Sequence, residues 1–290
     1  MKEKKGCVMI HGKKFFLLCW IVICAVLLAG ALIAPGGGAE ETIQETMRDA
    51  VLHEANQINL FGLCLVNPGY ISSLVVTVVL LVAALLIRVF VIPRFQYVPR
   101  KFQLILEQAV GMFDGLAKSN SPWRNGFLGA YVFAAGSYIF FGTLFELFGF
   151  QAIATNGIAV ALPAPLSDVN GAIMLGVLSY LVIFSGAIAG NGIRGIGSAL
   201  KEISLLISMS FRLFGALLSG LLVTELVYYY IQLSIVLPVL DGVLFTLLHA
   251  LIQSYVLTML TALFYGELSE RKEHHPKVRK KRAGELLQNV

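Results

Sequence analysis

Of 290 residues, 57% are hydrophobic and only 13% are charged, where soluble domains carry about a quarter charged residues. The bulk of the chain is therefore solvated by lipid, and a single helical bundle replaces the usual count of soluble domains. Its net charge of +5 follows from loop lysines and arginines that orient a membrane protein, which removes the reason to read a nucleic-acid footprint.

A helical span needs about 20 apolar residues. Residues 15–34 form the first such run, behind Lys2, Lys4, Lys5, Lys13 and Lys14. It ends in Ala29-Gly-Ala-Leu-Ile-Ala-Pro-Gly-Gly-Gly-Ala39. Residues 1–39 thus read in two ways, as a cleaved secretory signal or as a first span. Residues 40–69 are acidic, with Glu40, Glu41, Glu45, Asp49 and Glu54 against Arg48, which predicts an external segment. A second span covers 70–87. Between 97 and 121, Phe102, Ile105, Leu106, Ala109, Val110, Phe113 and Leu116 recur at helical spacing among polar residues. That pattern predicts a helix lying on the cytoplasmic surface, with partner docking as a competing purpose.

Residues 125–145 and 169–193 are the third and fourth spans. Gly192-Ile-Arg-Gly-Ile-Gly197 follows a membrane span and lacks the strand of a nucleotide-binding turn, so it is expected to be a flexible connector. Residues 203–266 are long enough for two helices turning at Pro238, interrupted only by Arg212, Glu225, Asp241 and His249. A basic tail, residues 267–290, closes the chain. Positive loops alternate with the acidic one, so the reading is an all-α polytopic membrane protein with five to six spans plus a membrane-surface helix. Cys7, Cys19, Cys24 and Cys64 offer no metal-ligand spacing and no disulfide framework. No metal and no cofactor are expected.

A guanidinium keeps its proton, and near a bilayer centre it costs at least about 2.5–3.5 kcal/mol. Arg212 is therefore a functional candidate. At about 100° per residue its face also carries Ser208, Gly215, Ala216 and Ser219, small residues that let another helix approach. On its own such a stripe is more often ordinary helix packing, and the arginine shifts that balance toward a functional contact. On the final span His249 and Gln253 are four apart. An antiparallel hairpin places Gln253 at the depth of Arg212, His249 beside Ala216 and Asp241 near Glu225. Such a ladder of polar groups suits an ion-accessible half-channel. Taken singly, His249 fits a buried hydrogen-bonded histidine, Gln253 a helix-helix tie, and Asp241, Glu225 and Glu146 interfacial carboxylates.

Ser210-Phe-Arg-Leu-Phe-Gly215, followed by Ala250-Leu-Ile-Gln-Ser-Tyr-Val-Leu-Thr-Met-Leu-Thr261, resembles subunit a of the F-type ATP synthases. Val98-Pro-Arg-Lys-Phe-Gln103 with Glu107, and Pro165-Leu-Ser-Asp-Val-Asn170, are similar to earlier signatures of that family. The likeness runs from about residue 59 to 266, making residues 70–266 a subunit-a-like membrane domain. It implies a static partner of the c-subunit ring, held with peripheral-stalk b subunits and the rest of the complex in a lipid bilayer. The final hairpin would face the ring, and the chain would be non-catalytic by itself. By resemblance Arg212 takes the place of the family's essential arginine between two half-channels, and Gln253 matches the glutamine packed close to it. Glu146 matches an acidic family position.

The chain also departs from the pattern. Ala216 stands where asparagine is common, Leu221 where a carboxylate is common, and Thr246 where an acid or histidine is common. Glu225, Asp241 and His249 are expected to rebuild the outer half-channel at shifted depths. The competing reading is a secondary transporter whose arginine binds an anionic substrate, against which no internal repeat relates the two halves. The secretory-like start and short basic loops point to a bacterial plasma membrane, with the mitochondrial inner membrane as alternative.

Overall fold

The structure, a computed structural model, describes residues 58–60, 64–123, 126–153, 159–229 and 237–270, with isolated helical positions between 21 and 48. Expectations for the signal or first span and for most of the basic tail fall outside these residues. Within them, five helices are long and apolar enough to cross a membrane, matching the four runs at 70–87, 125–145, 169–193 and 203–266 once the last is divided in two.

A short hairpin, β1 (Ile58–Leu60) with β2 (Cys64–Val66), leads into helix α1 (Pro68–Leu86). Asn67 starts α1 by accepting from the Gly69 N–H, and Pro68 occupies the first turn, where its missing N–H costs nothing. A π turn (Ile87–Val91) and a 3-10 turn (Ile92–Arg94) extend the same rod. Only Pro68, Gly69, Ser72 and Val76 of α1 are buried. The helix is apolar all round yet bare over most of its length, as a peripheral helix solvated by lipid must be.

Helix α2 (Lys101–Asn120) is amphipathic and is not one of the spans. It packs against the start of α3 (Gly126–Phe145), where Phe113 meets Phe133 edge to face at 5.8 Å, and its Asn120 reaches Met259 of the last helix. A 3-10 turn (Glu146–Phe148) ends α3, and Gly149 at φ 60° stops it there. The hairpin β3 (Gln151–Ile153) with β4 (Ala159–Ala161) then caps this end of the bundle.

Asp168 starts α4 (Val169–Asn191) by accepting from the Asn170 N–H at 2.9 Å. This helix forms the centre, with Ala172, Leu175, Val182 and Ile183 buried against Leu128, Val132 and Ile139 of α3 and against two later helices. One of these is α6 (Ile203–Tyr229), which presents Met209, Leu213 and Leu217. The last rod runs through α7 (Leu237–Asp241), a π turn (Gly242–Leu247) and α8 (Leu248–Ser269), the latter contributing Leu257, Ala262 and Tyr265. Without a hydrophobic drive between helices in lipid, small residues set the closest approaches. Gly176 of α4 faces Ser210 of α6 so closely that a Cβ at 176 would overlap the serine side chain.

Two expectations are corrected. The glycine-containing stretch after α4 is no connector: Gly192 turns the chain at φ 59°, and α5 (Ile193–Lys201) follows, anchored by Tyr180, whose hydroxyl donates to the Ala199 carbonyl at 2.8 Å. A positive φ stops one helix, and a new one starts at the next residue. Pro238 is likewise not the turn of the last hairpin. It lies inside helix α7 (Leu237–Asp241), which continues into the last rod.

Candidate functional site

Arg212 lies ten residues into α6, on the side opposite the core. Met209, Ser210, Leu213, Leu217 and Leu221 are buried, while Ser208, Phe211, Arg212, Gly215 and Ser219 are exposed and Ala216 is half-buried. A Cβ added at Gly215 would meet nothing within 4 Å. Among the described residues no carboxylate forms an ion pair with Arg212. The stripe expected to meet another helix is open along its length, with one guanidinium at its middle.

Toward the end of α6 that lies beside α7, three elements converge. Asp241 of α7 is 6% exposed. The Thr224 hydroxyl of α6 donates to its Oδ2, and the same proton is shared with the Gly220 carbonyl at 3.1 Å. Asp241 Oδ1 is buried with no partner among the described residues. Glu146, half-buried in the 3-10 turn after α3, feels the charges of both Asp241 and Glu225. Its neighbour Leu147 lies against Gly242, one residue past Asp241. Among the described residues no three of His, Cys, Asp or Glu are placed to hold a metal ion. The three carboxylates therefore form a grouping of charge, away from the basic loops, with one oxygen unmatched.

Between this cluster and Arg212 runs the π turn. Its wider turn advances the side-chain face relative to an α-helix, so that Asp241, Thr246, Ala250, Gln253 and Ser254 are all buried along one rod. Thr224 bonds Asp241, and one turn further into the membrane Gly220 lies against Phe245. Further along the two helices Arg212 is exposed on the open side of α6, whereas Gln253 is buried. His249 Nδ1 is 2.6 Å from the Phe245 carbonyl, and their owners' rings stack at 5.8 Å. A carbonyl only accepts, so Nδ1 carries the proton in this contact. Gln253 is 7% exposed, and its Oε1 has no partner among the described residues. Leu221 and Thr246, at the positions where the resemblance leads one to look for acids, are both buried.

Thr224 and the π turn escaped sequence reading. A threonine within an apolar helix is ordinarily satisfied by its own backbone, and a π turn has no residue signature of its own. Asn67 and Asp168 escaped in the same way: each caps its own helix, yet Asn67 Nδ2 also donates to Asp168 Oδ2 at 3.1 Å, tying α1 to α4.

Five helices long and apolar enough to cross a membrane define a polytopic membrane protein. Residues 71–266 match the family described as ATP synthase A chain. The chain belongs to that family, and is a membrane-sector subunit of ATP synthase.

Proposed function

We propose that this chain is the stator ion-channel subunit of the membrane sector, with Arg212 set against the c-subunit ring and two half-channels leading to it from opposite sides. The reading is carried by one juxtaposition. Arg212 stands on an open face of α6, and the same helix reaches the Glu146, Glu225 and Asp241 cluster about 20 Å away, thirteen residues at about 1.5 Å each. A permanently charged guanidinium with no carboxylate paired to it among the described residues is matched by an ionised carboxylate brought from outside. Such a group would be drawn into its charged form beside Arg212 and released as the next one arrives. The same charge blocks direct leakage between the half-channels.

Glu225, Asp241 and Glu146 form the entrance of the outer half-channel, and His249 relays protons onward toward Gln253 and Arg212. The rotor-facing residues are Ser208, Gly215, Ala216 and Ser219, whose small side chains permit close approach of a ring helix. Peripheral-stalk b subunits hold the chain static, and the membrane is a bacterial plasma membrane. The chain performs no catalysis by itself. Proton transport measured in vesicles tests the pathway: it is lost in Glu225→Gln and His249→Ala, and wild-type transport in both removes the proposed outer half-channel.

A further inference from the structure

The turn between α1 and α2 is basic, exposed and held in shape. Gln103, buried in the first turns of α2, accepts from the Gln96 N–H at 3.1 Å and donates Nε2 to the Gln96 carbonyl at 2.9 Å and to Glu107 Oε1 at 2.7 Å. Both backbone groups of one loop residue are thus tied to the following helix. The turn so fixed leaves Tyr97 fully exposed and Val98 77% exposed. Arg94, Arg100 and Lys101 flank them, all exposed, and among the described residues no carboxylate pairs with any of the three.

Its depth follows from the preceding helix. Pro68–Arg94 is 27 residues long, about 40 Å at about 1.5 Å per residue, whereas the hydrocarbon core is about 30 Å thick. Starting at Pro68, the rod leaves hydrocarbon near Arg88, and Arg94 emerges about 10 Å beyond, at headgroup depth. Among the described residues nothing in α1 beyond Val76 is fully buried, so this side of the molecule is open to lipid. An orientation signal requires the charges alone. A clamp that holds an exposed Tyr-Val pair between three unpaired cations at the headgroup level is a further feature.

We propose that this turn binds the headgroup of an anionic phospholipid, with Arg94, Arg100 and Lys101 drawn to its phosphate and Tyr97 and Val98 seated at the boundary with the acyl chains. The site is separate from the ion pathway and stands whether or not that pathway is as proposed. Its test uses the purified complex in vesicles containing photoactivatable phosphatidylglycerol or phosphatidylcholine, with labelled positions mapped by peptide mass. Labelling within residues 94–103 is expected to favour phosphatidylglycerol by at least about tenfold, since each cation at the surface contributes roughly fivefold. The triple variant R94Q/R100Q/K101Q brings the two lipids close to equality, while R194Q/K201Q on α5 leaves the preference intact. R94K/R100K keeps it, which separates lost binding from failed assembly. Gln103→Leu, which leaves every charge in place and frees the turn, lowers it about threefold. Equal labelling by the two lipids in the wild type overturns the site, as does an unchanged preference in the triple variant, an equal fall in R194Q/K201Q, or capture of a neighbouring subunit in place of lipid.

Discussion

The two sides of α6 are built from similar residues and meet opposite surroundings. Ser210 seats against Gly176 of α4 amid buried leucines, whereas Ser208, Gly215 and Ser219 are exposed among the described residues. Small residues therefore permit close approach without saying which neighbour makes it. What distinguishes the open side is Arg212, a charge that the chain leaves unmatched.

Breaking the open side at its charge gives the largest effect. Arg212→Ala is expected to abolish ATP-driven ion pumping in inverted vesicles while the chain itself keeps its fold, because Arg212 takes no part in the buried side of α6. Intact pumping in this variant would overturn the stator reading. Neutralising the far cluster comes next: Asp241→Asn is expected to slow proton transport about tenfold, equivalent to about 1.4 kcal/mol of barrier, and a rate equal to wild type would place Asp241 outside the pathway. On the packed side, Gly176→Ala forces a Cβ into Ser210 and is expected to cost about 1–3 kcal/mol. A thermal-unfolding midpoint reads that loss, and Gly111→Ala on α2, where an added Cβ meets nothing within 4 Å among the described residues, is the matched control that should not lower the midpoint. The smallest effect belongs to Asp168→Ala, which removes the start of α4 and the bond from Asn67 for about 1 kcal/mol. Asn67→Ala combined with it should add little, since both act on the same contact.

The spans were legible because lipid imposes a length and an absence of charge that any 20-residue window displays. The surface helix at 101–120 was legible from its mixed periodicity. The ladder of polar groups along the final hairpin was legible as a pattern of residues, while its pairings of Arg212 with Gln253 and of His249 with Ala216 belong to the proposal. Its upper end was less so. Asp241 was expected near Glu225, but its hydrogen bond goes to Thr224, one residue before. That detail depends on the π turn and on where α7 begins, and neither leaves a mark in residue type. The helix at Ile193–Lys201 was hidden by three glycines, which count against a helix in isolation but not where Gly195 presses against the Ala187 carbonyl of α4.

From its residues alone this protein is a lipid-solvated bundle with a charge at Arg212 and a known order of spans, since hydrophobic length and charge cost are local properties. Which face of α6 stays open, and which carboxylates gather around Asp241, depended on the packing of α3, α4 and the last rod together. Those neighbours come from segments about a hundred residues apart in the chain. Only their convergence leaves one buried oxygen of Asp241 without a partner among the described residues, and no single helix carries that information.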